Sequence, residues 1–224
     1  MKRQIPNMLT LANLLTGTTG IIFLFTRPEW AAAWFIWMAC VFDFLDGFAA
    51  RALKVTSPIG KELDSLADVV SFGVLPSLFM FQFLEKSDVG SAVWIALLLA
   101  AAAAWRLAKF NTDSRQTMGF LGLPTPAHAL FITGLPFLIN VAGIESFSLW
   151  IGLASVITMS WLMISELPLP ALKFKSFSWK ENQFTYLLIA VSLILIVFFR
   201  EAGIPASILV YILFSFFIPD SRKA

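Results

Sequence analysis

Charge is scarce in this chain, and cysteine and histidine are scarcer still. Only 13% of its 224 residues are Asp, Glu, Lys or Arg, where a soluble domain carries about 25%. With 58% hydrophobic residues and a mean hydropathy of +0.82, a water-soluble globular domain is excluded and an integral membrane protein remains. One cysteine, Cys40, leaves no internal disulfide, and its apolar neighbours suit a small buried hydrophobe. The single histidine, His128, follows a Pro-Thr-Pro-Ala break, where a structural or solvated role is the ordinary one. No stretch is left for a soluble domain or a low-complexity tail, and the net charge of +2 says little about partners.

What the chain has in abundance is apolar sequence in lengths that span a bilayer of about 30 Å. Helices are expected over 8–26, 30–53, 61–84, 90–110, 126–142, 147–165, 183–199 and 204–218. Gly134 and Pro136 in the fifth, and the close join of the last two, leave six or seven crossings as alternatives. The N-terminus, MKRQIPNMLTLANLLTG, is basic and then apolar like a signal peptide. Its apolar part runs on to Thr26 without a convincing cleavage site, so it reads as a retained first helix. The fold class expected is all-α, a polytopic bundle of about eight helices forming one domain over 1–224.

The placement of cations gives an orientation. With eight crossings and a cytoplasmic N-terminus, all 16 Lys and Arg except Arg27, Lys86 and Arg200 fall on the cytoplasmic side. Both termini are therefore expected in the cytoplasm. The stretch with Lys173, Lys175 and Lys180 among Phe174, Phe177 and Trp179 reads as a loop lying on anionic lipid, not as a nucleic-acid surface. Trp30, Trp34 and Trp37 read as belt and packing residues.

Against that background the acids stand out. DFLDGFAAR ends the second helix, and DSLADVVSFGV enters the third after the short break ALKVTSPIGKEL. Charged groups inside a membrane segment cost about 2.5–3.5 kcal/mol on insertion scales, so they mark function. Positions three or four apart share a helix face. Asp43 and Asp46 thus form one stripe, with Gly47 and Ala50 beside it, while Gly60, Asp64 and Asp68 form another. A tight hairpin over 43–68, begun by Ser57 as a cap and broken by Pro58 and Gly60, turns the stripes toward each other. Crowded carboxylates are hard oxygen donors suited to Mg²⁺ or Mn²⁺. Arg51 adds a forked cation suited to phosphate, and the small residues leave space, which together describe a diphosphate site. The plain structural alternative is a salt-bridge network of these acids with Arg51, Lys54 and Lys61.

The eight fixed residues Asp43-x2-Asp46-Gly47-x2-Ala50-Arg51-x8-Gly60-x3-Asp64-x3-Asp68 match the signature of the CDP-alcohol phosphotransferase family. The segments IPNMLTLANLLTG, GKELDSLADVVSFGV, RLAKFN and GFLGLPTPA resemble the branch of that family whose acceptor is L-serine, over most of residues 5 to 130. The last third carries no motif. The resemblance implies a membrane enzyme that displaces CMP from CDP-diacylglycerol, two divalent ions (Mg²⁺ or Mn²⁺), a homodimer, and a site at the cytoplasmic face of the cell (inner) membrane. It implies metal ligation by Asp43, Asp46 and Asp64, with Asp68 sharing a metal or acting as general base. Gly47, Ala50, Arg51 and Gly60 would border the nucleotide and diphosphate, with Thr10 and Asn13 as further nucleotide-site candidates or simple packing contacts.

For the serine carboxylate, Arg106 leads because a guanidinium binds it in bidentate fashion. Lys109 and Asn111 stand near it; Lys61 and Arg115 are second-rank candidates, and Glu62 reads as a solvated acid. Two rivals remain. An acceptor such as glycerol 3-phosphate or inositol phosphate keeps the chemistry but asks for a denser cationic pocket. A transporter using the acids would be expected to show internal repeats and broken midplane helices, and no second copy of the acidic hairpin exists.

Overall fold

The computed structural model describes residues 4–28, 30–55, 57–87, 90–112, 120–169 and 179–217. It is helical almost throughout. We number the helices α1 (Gln4–Thr26), α2 (Trp30–Ala52), α3 (Pro58–Glu85), α4 (Gly90–Thr112), α5 (Thr125–Ala142), α6 (Glu145–Ile164), α7 (Trp179–Phe199) and α8 (Gly203–Phe217). Seven stretches are long and apolar enough to cross a membrane, the last being Asn182–Ser215. That last stretch folds on itself. Arg200 takes a left-handed φ of 51°, and Gly203 lies so close to the Leu195 carbonyl that no Cβ would fit. Ser207 Oγ donates to the Ser192 carbonyl across the turn. The stretch is thus a hairpin of α7 and α8, which gives eight helical legs, as expected from the sequence.

α3 is the centre of the bundle, with 56% of its most apolar window buried against 17% for Asn182–Ser215. Phe72, Leu75, Phe79, Met80 and Leu84 of α3 meet Leu99 and Ala103 of α4, and Ile132 and Leu135 of α5, in one apolar core. α1 crosses α3 closely because Gly17 and Gly20 leave their space to Ser71 and Leu75. The two glycines thus serve small-residue packing between the helices. Hydroxyls in the lipid span are satisfied within their own helices: Thr16, Thr18 and Thr19 each donate to the carbonyl four residues back.

One expectation needs correction. α3 starts at Pro58, three residues before the expected Lys61, since Pro58 and Gly60 open the helix rather than break it. Proline suits the first turn, and Ser57 Oγ caps it by accepting from the Gly60 amide at 3.3 Å. α5 runs unbroken through Pro136, as the expected helix over 126–142 requires; Gly134 there accommodates the ring of Pro205 from α8.

Two short extended pieces complete the fold. Phe120–Leu121 pairs antiparallel with Pro168–Leu169. Gly122, with φ of 79°, sits against the carbonyls of Met163 and Ser165 where no side chain would fit, and its amide donates to the Leu167 carbonyl. This strap fixes where α5 begins. Arg115, Lys173 and Lys175 lie outside the described residues.

Candidate active site

Two helices carry the acids, and a third holds them. Asp43 and Asp46 project from the last three turns of α2, and Asp64 and Asp68 from the first three turns of α3. Oxygen atoms of Asp43, Asp64 and Asp68 all lie within 4.8 Å of one another. Asp46 stands outside that set: its Oδ2 accepts a 2.6 Å hydrogen bond from Thr10 of α1. One turn further along α1, Asn13 Nδ2 donates to Asp68 Oδ1 at 3.3 Å. Thr10, Asn13, Asp46 and Asp68 are all buried. Thr10 and Asn13, open between nucleotide binding and packing on sequence grounds, are thereby tied directly to two of the acids.

Two cavities flank the acids and share Asp46, Gly47, Lys61 and Asp64 in their walls. The first, about 500 Å³, lies between α1 and the α2–α3 turn, and includes Asn7, Ala50, Ser57 and Gly60. The second, about 410 Å³, opens toward α4 and α5, and includes Asp43, Asp68, Arg51 and Arg106. Glycine is needed on both sides of this boundary. A Cβ on Gly47 would press on the Arg51 guanidinium at 3.3 Å, and one on Gly60 would meet Asn7 Oδ1 at 2.9 Å.

The salt-bridge alternative is not what the structure shows. Among the described residues, none of the four acids has an ion pair; the described pair is Lys109 with Glu166, at 2.7 Å. Asp64 Oδ1 is buried with no hydrogen-bond partner. Carboxylates this close, without cations of the protein between them, fit a bound divalent cation, which favours oxygen donors.

The acceptor-side candidates separate. Arg106 is 6% exposed and lines the second cavity with the acids; its Nε has no partner, and its guanidinium carbon lies 6.0 Å from the Phe110 ring centre. Lys109, one turn on, is turned away to Glu166 and lines neither cavity. Lys61 Nζ donates to the Asn111 carbonyl at 3.1 Å, and Asn111 Nδ2 donates to Ser65 Oγ at 2.8 Å, which ties α3 to the end of α4. Glu62 is exposed, as expected. Sequence reasoning did not single out Asn7, Ser65, Phe110 or Thr125, all in the cavity walls. All four fall in the quoted segments IPNMLTLANLLTG, GKELDSLADVVSFGV, RLAKFN and GFLGLPTPA, but nothing in the spacing singles them out.

A membrane-embedded acidic hairpin with two adjoining cavities defines the class, and sequence comparison supplies the family. The CDP-alcohol phosphatidyltransferase family model matches residues 3–164, and the chain belongs to that family of membrane enzymes. It is similar to proteins named CDP-diacylglycerol–serine O-phosphatidyltransferase from several organisms. The Helicobacter pylori relative is 30% identical over 85% of this chain and 81% of its own length. The Bacillus subtilis relative is 33% identical over 75% and 91%, and the Methanocaldococcus jannaschii relative 35% over 77% of each. The last hairpin, α7 and α8, lies beyond the family match.

Proposed function

We propose that this protein transfers the phosphatidyl group of CDP-diacylglycerol to the hydroxyl of L-serine, releasing CMP. The observation that carries the reading is Arg106: one buried guanidinium shares a cavity with all four acids. Relatives named for the serine reaction support the same acceptor.

In this reading the first cavity takes the CMP portion, bordered by Gly47, Ala50 and Gly60, with Arg51 near the diphosphate. Arg106 holds the serine carboxylate and so presents the hydroxyl to the acids. Asp68 takes the hydroxyl proton as the serine oxygen bonds to the lipid-linked phosphorus. The bond from that phosphorus to the bridging oxygen breaks, and CMP leaves with the electron pair. Thr10 and Asn13 fix the rotamers of Asp46 and Asp68, so the carboxylates are oriented before substrate arrives. Asp43, Asp64 and Asp68, with Asp46 beside them, would hold Mg²⁺ or Mn²⁺, which when bound neutralises the diphosphate and the departing CMP. A second ion, a homodimer and a cytoplasmic-facing site in the cell membrane belong to the same reading.

The test is CMP release from CDP-diacylglycerol by purified protein with Mn²⁺ or Mg²⁺, with L-serine, glycerol 3-phosphate or inositol phosphate supplied in parallel. Release with serine alone, lost on adding EDTA, is the expected result. Release with a phosphorylated acceptor instead would overturn the role given to Arg106.

A further inference from the structure

His128 is the chain's only histidine, is fully buried, and lines neither cavity. Its Nε2 lies 2.7 Å from the Phe72 carbonyl of α3. A carbonyl can only accept, so Nε2 carries the proton and donates. Phe72 lies in a segment whose backbone bonds run five residues back, as the Leu75 amide does to the Val70 carbonyl. The imidazole adds to that segment a bond from a different helix, α5.

The place where this happens matters. Directly after Asp68, α3 widens into a π segment, Val69–Val74, before resuming as α-helix at Leu75. A π turn holds more residues than an α turn, so it resets the angle between the acid-bearing start of α3 and its apolar remainder. Three neighbours clamp it. Ser71 Oγ donates to the Asn13 carbonyl of α1 at 3.1 Å, and a Cβ on Gly73 would come within 3.1 Å of Ala103 on α4. His128 holds the third side. Asn13 meanwhile reaches Asp68 with its side chain, so the carboxylate and the π segment share one support.

We propose that His128 is a positioning residue: by donating to the Phe72 carbonyl it holds the π segment that aims Asp68 at Asp43 and Asp64. This rests on the reading of Asp68 as a working residue of the site. The readouts are therefore chosen to separate the two.

With one histidine, ¹⁵N-histidine labelling gives a single imidazole to observe by NMR. A neutral ring protonated at Nε2 is expected; a proton on Nδ1 with Nε2 bare would overturn the proposal whatever the enzyme does. For function, His128→Met removes the donor and His128→Gln keeps one at a similar reach. His128→Met should lower kcat by roughly 10–100-fold, as sub-ångström to ångström misplacement of a reacting group does, with KM for CDP-diacylglycerol little changed. Binding of Mn²⁺ alone, followed by electron paramagnetic resonance, should weaken in His128→Met and recover in His128→Gln. No recovery by glutamine in a folded protein would overturn the positioning role. If wild-type protein binds Mn²⁺ but releases no CMP with serine, the acceptor reading fails while the Mn²⁺ and NMR arms still decide on His128.

Discussion

The first four helices and the stretch that holds the last two are all apolar enough to span a membrane, the latter the more so, yet they do different work. In α1–α4, polar side chains point inward and find each other: Thr10 with Asp46, Asn13 with Asp68, Ser71 with the Asn13 carbonyl. In the α7–α8 hairpin, large apolar side chains point outward, with Val197 73% and Phe198 76% exposed. Polarity inside a lipid span costs several kcal/mol when unmet, so the first region keeps it only where partners or ligands complete it. The second region carries apolar surface suited to lipid and almost no chemistry. Apolar composition alone does not tell these two roles apart; the direction of the side chains does.

Substitutions test that division, the largest effects first. Asp68→Asn removes the proposed proton acceptor and one cation ligand together, so CMP release should fall by about 10²–10⁴-fold, read in the serine assay. Arg106→Lys keeps the charge but loses the planar fork. A serine KM raised by roughly tenfold or more is expected from loss of a charge-assisted hydrogen bond, with kcat less affected. Thr10→Val keeps the shape of the side chain but leaves Asp46 Oδ2 without its donor. A drop of a few-fold to about tenfold in activity is expected, with the folded state retained by thermal melting. Val197→Ala in the outward face should change neither activity nor melting temperature appreciably, within about 0.5 kcal/mol. If Val197→Ala damaged turnover as Thr10→Val does, the contrast between the two regions would be wrong.

How far the sequence reached follows the same contrast. The hairpin acids were legible because their spacing obeys helical periodicity, and a short Pro-Gly connection leaves the two stripes few ways to sit. The eight helices were legible from apolar run lengths, although the bend at Arg200 rests on a left-handed φ that its residue type does not announce. The sequence separates Arg106 from Lys109 only by the planar fork of its side chain, the two standing one turn apart on the same helix. Their difference comes from a distant partner, since Glu166 at the end of α6 draws Lys109 away. The start of α3 was placed late because proline and glycine act as breakers inside a helix but not in its first turn. The π segment leaves no such pattern, because the imidazole that bonds its Phe72 carbonyl stands 56 residues away in the chain.

Phe44, in the wall of the second cavity, stacks with Phe48 one turn on; their ring centres are 6.3 Å apart, and both rings are largely exposed. With CDP-diacylglycerol as the proposed substrate, an apolar sill beside the acids would let it keep its tails among neighbouring lipids while only its headgroup enters. Encounter would then take place in two dimensions. Turnover should follow the mole fraction of CDP-diacylglycerol in the bilayer or micelle, and dilution with inert lipid should slow the reaction even when the bulk concentration is unchanged.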